Sequence, residues 1–127
     1  MTDGTWKTND LAGFFERMSI TRVDGMVEGS KKVTIWMGSG WRFDICVQDL
    51  DERRNLPLAE IAGDPERLRG GRIVRAEETT RKEDDAELPQ STWTFFRIGT
   101  DNGGHVVLRW MDTYREAVRL RISAWRT

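Results

Sequence analysis

Two alternating segments joined by a glycine-rich turn decide the fold of this chain. They are STWTFFRIG over residues 91–99 and HVVLRWM over residues 105–111, with DNGG at 101–104 between them. Side chains that alternate between apolar and polar positions with a period of two are typical of half-buried β-strands. The Asn-Gly pair supplies the positive φ angles that a tight hairpin turn requires. This stretch therefore predicts an antiparallel β-hairpin.

The same period of two recurs on both sides of the hairpin. Strands are predicted over 20–27, 32–37, 41–48, 72–80 and 116–125. Residues 9–18 instead carry apolar side chains at helical spacing, and 57–69 is predicted to form helical turns that break at Gly63 and restart at Asp64-Pro65. The predicted fold class is α+β, mainly antiparallel β-sheet of about seven strands with one or two short helices.

The chain is predicted to form a single domain over 1–127, because this length suffices for one core and no linker-like segment divides it. The polar residues 1–8 are expected to be loosely ordered. Residues 81–90, RKEDDAELPQ, lack apolar periodicity. They are expected to form an exposed acidic loop.

The charges of the chain nearly cancel, with 20 basic and 21 acidic residues and a formal net charge of -1. This balance argues against a strongly basic nucleic-acid-binding protein, although it is compatible with one basic face. The single cysteine, Cys46, rules out an intramolecular disulfide and favours a reducing compartment. Since no signal-peptide pattern and no run of membrane-spanning length is visible, we expect a cytoplasmic protein with no membrane partner.

No pattern in the chain predicts catalysis, a cofactor or a metal site. The single histidine, His105, and the single cysteine do not suffice for the common Cys/His zinc sites. Glu77 and Glu78 are neighbours in a predicted strand, so they point to opposite faces and do not form a carboxylate pair. The glycines do not form a phosphate-binding motif. A carboxylate-dependent metal protein or hydrolase stays an alternative, with Glu77 and Asp49 as its candidate residues.

Tryptophan and arginine supply the candidate binding surface. Five of the six tryptophans lie in predicted strands, at Trp36, Trp41, Trp93, Trp110 and Trp125. The alternation rule gives one set of candidate partner-binding residues, Trp93, Arg97, Arg109, Arg119, Arg121 and Trp125. Both residue types are enriched at protein-binding hot spots, and both also stack on bases or neutralise phosphates. In a third, structural interpretation, the arginines pair with acidic residues across strands.

Three segments resemble a family of small uncharacterised proteins of bacteria and their phages. GRIVRAEETT (71–80), STWTFFRIGT (91–100) and VVLRW (106–110) are similar to that family's strand ending in AEE, its TWTFY strand and its RW strand. The likeness covers residues 40–120 in outline. The chain departs from the family in having Cys46 alone where the family has a double cysteine, and MDTYREA (111–117) where the family has Ser-Asn-Gly-Tyr-Tyr. The resemblance brings no activity, but it implies the sheet fold and a bacterial or phage origin.

These patterns predict a small non-enzymatic module that binds another protein, with self-association as a homodimer included. The phage-related origin that the resemblance implies also makes an inhibitor of a host or defence protein a fitting role. A nucleic-acid-binding domain that uses the Arg/Trp sheet face is the first alternative.

Overall fold

The computed structural model describes residues 18–48, 55–85, 88–112 and 119–126. These residues contain eight β-strands and one short 3-10 helix. The strands are β1 (Ile20–Asp24), β2 (Val33–Met37), β3 (Trp41–Gln48), β4 (Glu60–Gly63), β5 (Ile73–Asp85), β6 (Leu88–Thr100), β7 (His105–Asp112) and β8 (Arg119–Arg126). The 3-10 helix spans Pro65–Leu68, between β4 and β5.

The strands form two four-stranded antiparallel sheets. The first sheet has the order β1-β2-β3-β8, and the second has the order β4-β7-β6-β5. β8 pairs with β3 along its whole length, so the last strand returns to the sheet that the first strands begin. β4, from the middle of the chain, lies beside β7 at one edge of the second sheet.

One apolar core is shared by the two sheets. The largest fully buried side chains include Phe43, Ile35 and Ile45 from the first sheet and Phe96, Ile98 and Trp110 from the second. Because successive side chains of a strand point to opposite sides, each sheet packs one face on this core and presents the other outward. The protein is therefore a two-layer β-sandwich with two outer faces.

The hairpin that the sequence predicts is confirmed. β6 and β7 pair in continuous register as far as Gly99 and His105. In the connecting turn Gly103 has a φ of 90°, a left-handed conformation that glycine adopts without steric cost. Buried and half-buried residues also alternate along β6 as the sequence predicts.

The predicted helices need correction. Residues 60–63, predicted as a helical turn, form β4 because their backbone pairs with β7. The following piece is a 3-10 helix, in which the Asp64 side chain accepts a hydrogen bond from the Glu66 N–H and Pro65 begins the helix. Of the helix predicted over 9–18, Met18 is not helical and the rest lies outside the described residues. No helix in the described part of the chain is long and apolar enough to cross a membrane.

The fold class is accordingly narrower than α+β. The described residues are mainly antiparallel β-sheet, and β4 brings the number of strands from the predicted seven to eight. Strands also occupy described positions of the predicted acidic loop over 81–90, since β5 continues to Asp85 and β6 begins at Leu88. The main-chain hydrogen bonds of a hairpin end need no apolar face, so a strand forms there without apolar periodicity. Residues 1–8 lie outside the described part.

Candidate functional site

The structure divides the six candidate residues between the two sheets. The second sheet carries Trp93, Arg97 and Arg109 on its outer face, whereas Arg119, Arg121 and Trp125 belong to β8 of the first sheet. The single Arg/Trp face expected from the sequence is therefore two separate groups. The reason is that β8 pairs with β3, whereas β6 and β7 pair with each other in the other sheet.

A cleft of about 610 Å³ lies on the outer face of the second sheet. It is lined by Thr79, Thr80, Arg81, Trp93, Phe95, Arg97 and Arg109, from β5, β6 and β7. We call this set the arginine cleft. The described residues of its lining supply three guanidinium groups, two aromatic rings and two hydroxyls, and none of them carries a carboxylate. Its volume falls within the range of about 300–1,000 Å³ that is usual for ligand sites.

Arg109 covers the Trp93 ring on one side of the arginine cleft. Its guanidinium carbon lies 4.3 Å from the centroid of the Trp93 ring, a cation–π contact worth about 0.5–1 kcal/mol at an exposed site. Arg109 also forms an ion pair with Glu60 of β4. The Nε of Arg109 is buried and has no hydrogen-bond partner among the described residues. One face of the guanidinium is thus held by the ring, and one end by the Glu60 carboxylate.

Arg97 extends from the centre of the arginine cleft towards β5. Its Nη1 donates a hydrogen bond of 2.9 Å to Oγ1 of Thr79, and its guanidinium carbon lies 5.5 Å from the Phe95 ring centroid. The nearest carboxylate position in register is Glu77, whose oxygen is bonded to Arg75 at 3.0 Å. The hydrogen bond from Arg75 lowers the pKa of Glu77, and the charge of Arg97 adds to that effect.

The outer face of the first sheet also carries arginine–tryptophan contacts. Arg22, Trp36, Arg42 and Trp125 lie side by side in register across β1, β2, β3 and β8. Arg22 lies 4.6 Å from the Trp36 ring centroid, and Arg42 lies 5.9 Å from that of Trp125. Arg42 is also paired with Asp44 at 3.5 Å. Arginines cover rings of their own sheet here, as Arg109 covers Trp93 in the second sheet, and such contacts also fit the structural interpretation of arginine and tryptophan.

Sequence reasoning missed β5 as a contributor to the site. Thr79, Thr80 and Arg81 line the arginine cleft, yet the predicted strand ends at 80 and a loop was expected from 81. The polar composition of this stretch hides its strand character, because the usual signal is apolar alternation. The pairing of Thr79 with Phe95 and of Arg81 with Trp93 is set by the hairpin register, which local sequence does not display.

The described titratable groups outside the arginine cleft do not form a metal site. Among the described residues, no group of three or more His, Cys, Asp or Glu side chains could hold a metal ion. Burial raises the pKa of Glu78, an effect partly opposed by a hydrogen bond from the Leu120 backbone. Burial also raises the pKa of the Cys46 thiol, which Arg121 partly offsets. Asp49, the other carboxylate candidate, lies outside the described residues.

No family model, curated protein or solved structure matches this chain. The arginine cleft, with its charge and its two aromatic rings, is therefore the basis on which a function is proposed.

Proposed function

We propose that the protein is a small non-enzymatic module that binds another protein through the outer face of its second sheet. The arginine cleft carries this proposal, since it gathers three arginines around Trp93 and Phe95 and none of its described lining residues has a carboxylate. Tryptophan and arginine dominate the energetics of protein–protein interfaces when they sit at the centre of a contact patch. The half-buried rings offer apolar area, and the guanidinium groups offer fixed donors around it.

The charge around the arginine cleft favours a protein partner over a nucleic acid. Glu60 and Glu77 lie on the same outer face and are paired with Arg109 and Arg75, and the whole chain has a net charge of -1. A nucleic-acid strand presents a phosphate at every nucleotide and needs a continuous basic track. A local group of arginines bordered by carboxylates suits a partner with only a few acidic side chains.

The arginine–aromatic contacts support a second candidate, the binding of single-stranded nucleic acid. Guanidinium groups lie over the Trp93 and Phe95 rings, and such surfaces also stack bases. Short oligonucleotides should then quench the tryptophan fluorescence, with a steep loss of binding as salt rises. Absence of quenching at low salt would remove this candidate.

Capture of partners from a bacterial lysate tests the proposal when variants of the second sheet's outer face are compared with a variant elsewhere. Tagged wild type is compared with Trp93→Ala and Arg97→Gln, before and after nuclease treatment. The matched control is Arg22→Gln, which removes an arginine stacked on Trp36 of the first sheet. We expect a protein that survives nuclease and is retained by wild type and control but lost from both face variants. Equal retention by the face variants, or enrichment that vanishes with nuclease, contradicts protein binding at this face.

The likeness of residues 71–110 to the bacterial and phage family supports two further proposals about this module. The first is a bacterial or phage origin, and the second is a role as an inhibitor of a host or defence protein. An inhibitor requires that the captured protein lose activity when the module is added. A captured protein whose activity is unchanged by a saturating amount of the module would exclude the inhibitory role.

A further inference from the structure

β5 is the outermost strand of the second sheet in the described part of the chain, and its pairing has two irregularities. β5 pairs with β6 in unbroken register from Arg75 to Glu83, and the register shifts just before and just after this stretch. Ser19 bridges the chain just before β5, at Arg72. From Arg75 onward, no described residue outside β6 forms a hydrogen bond between its main chain and the main chain of β5. The Leu120 N–H bonds instead to the side chain of Glu78. An edge strand of this kind presents a row of free N–H and C=O groups that can pair with another strand.

The regular stretch of β5 is complementary to itself. It has nine residues, Arg75 to Glu83, and its central residue is Thr79. Positions 75, 77, 79 and 81 share the outer side of the strand and read Arg, Glu, Thr, Arg. When this segment is laid antiparallel on a second copy with Thr79 opposite Thr79, Glu77 lies opposite Arg81 and Arg75 lies opposite position 83.

We infer that the protein forms a two-fold symmetric homodimer in which the β5 edges of two copies pair antiparallel about Thr79. By symmetry the Glu77–Arg81 pair occurs twice, so the outer side contributes two opposite-charge pairs and one Thr79–Thr79 contact on the axis. The other side of the strand places Glu78 opposite Thr80, which brings no like charges together. Each opposite-charge pair adds a modest stabilisation, and its reversal removes a similar amount.

The present contacts of these side chains leave them available for the dimer. The Arg75–Glu77 pair is about half exposed on both sides, so exchanging it for a pair across the interface costs little. Arg81 is exposed, and no described carboxylate is paired with it. Nine residues of antiparallel pairing supply roughly eight to ten main-chain hydrogen bonds. The two irregularities of register end the pairing on either side.

The dimer also enlarges the candidate binding face. Thr79 and Arg81 face outward and Thr80 faces the other way, so a cleft lined by all three extends to the edge of β5. Pairing at this edge joins the second sheet of one copy to the second sheet of the other, which gives one sheet of eight strands with two arginine clefts side by side. The dimer itself does not depend on the cleft binding a different protein.

Reversing the charge at Glu77 or at Arg81 tests the inference. The dimer dissociation constant is measured by sedimentation equilibrium of nuclease-treated protein over a series of concentrations. Glu77→Arg and Arg81→Glu each create two like-charge pairs, and we expect each to raise the dimer dissociation constant by at least about ten-fold. Mixing the two variants restores opposite charges at both pairs, so the mixture should dimerise although neither variant does alone. Arg22→Glu, on the outer face of the first sheet, is the matched control and should dimerise as wild type does.

Matching circular dichroism and thermal unfolding of the single variants and the wild type would show that the effect is not a loss of fold. A wild type that stays monomeric at every concentration overturns the dimer. A dimer that both single variants leave intact, or a mixture that stays monomeric, overturns the β5 interface. Capture from a lysate measures binding of a different protein, so failure of the dimer and failure of partner binding are distinguishable.

Discussion

Replacing the buried hydroxyl of Thr94 should stabilise the protein, whereas most substitutions in a core destabilise it. Thr94 lies on β6 with none of its surface exposed, and its Oγ1 has no hydrogen-bond partner among the described residues. Burying a hydroxyl without a partner costs about 1–3 kcal/mol. Valine keeps the branched shape and replaces the hydroxyl by a methyl group. We therefore expect Thr94→Val to stabilise the protein by about 1–2 kcal/mol.

Thr34 provides the matched control, because it is also buried but its hydroxyl is bonded. Thr34 is 6% exposed, and its Oγ1 donates a hydrogen bond of 3.0 Å to Oδ1 of Asp44. A hydrogen bond to a charged group contributes about 1.5–3 kcal/mol, and Asp44 keeps Arg42 as a second partner after the substitution. We expect Thr34→Val to destabilise the protein by about 1–2 kcal/mol.

Urea unfolding followed by tryptophan fluorescence measures both changes. With an m-value of about 2 kcal/mol/M, a change of 1–2 kcal/mol moves the midpoint by about 0.5–1 M. The midpoint should rise for Thr94→Val and fall for Thr34→Val, at an unchanged m-value. If the Thr94→Val midpoint falls instead, the hydroxyl has a partner in solution and the reasoning from its burial is refuted.

Three further predictions follow from local geometry and charge. Gly63 has a φ of +99°, and a side chain there would meet a carbonyl of β7, whereas Gly29 has a φ of +87° with open space around it. Thermal unfolding should show that Gly29→Ala lowers the free energy of unfolding by about 1–2 kcal/mol and that Gly63→Ala lowers it by more. Equal losses of stability would contradict the close approach of Gly63 to β7. Burial raises the pKa of Cys46, so its alkylation by iodoacetamide should require a higher pH in the native protein than in urea. If the native protein reacts at the same pH as the unfolded protein or at a lower one, the pKa of Cys46 is not raised by the fold. A hydrogen bond from the backbone of Arg72 is the main cause that lowers the pKa of Asp101 below its ordinary 3.8. Asp101 therefore contributes stability above the unfolded pKa that is lost as the pH falls through the folded one. In a plot of the urea midpoint against pH, Asp101→Asn should reduce the fall in stability over that acidic range. An unchanged fall would show that another group causes the loss of stability.

The faces of individual strands could be predicted from the sequence. In β3, Phe43, Ile45 and Val47 are fully buried and Asp44 and Cys46 between them are not, as their alternation predicts. This works because side chains alternate along a strand regardless of its partner. The β6–β7 hairpin is predictable for a similar reason, since its turn chemistry lies within a few adjacent residues.

The candidate site was predictable only in part. Trp93, Arg97 and Arg109 are on one face as expected, because they belong to the same hairpin. Arg81 was missed, since the polar stretch that carries it gives no apolar alternation. Arg121 was assigned to the same face but belongs to the other sheet. A strand of either layer of a sandwich has the same alternating pattern, so the pattern does not indicate the layer.

By itself, the sequence determined the strands with clear alternation, the side of each that is buried and the tight turn before β7. The tertiary structure alone decided which strands share a sheet. Hydrogen-bonded pairing between distant segments, such as β8 with β3 and β4 with β7, leaves no trace in the periodicity of either strand. Glu60–Gly63 is extended because β7 offers it a partner, although its own residues favour a helical turn. The arginine cleft and the outermost position of β5 among the described strands follow from this same nonlocal pairing, because it decides which side chains become neighbours and which strand lies at the edge.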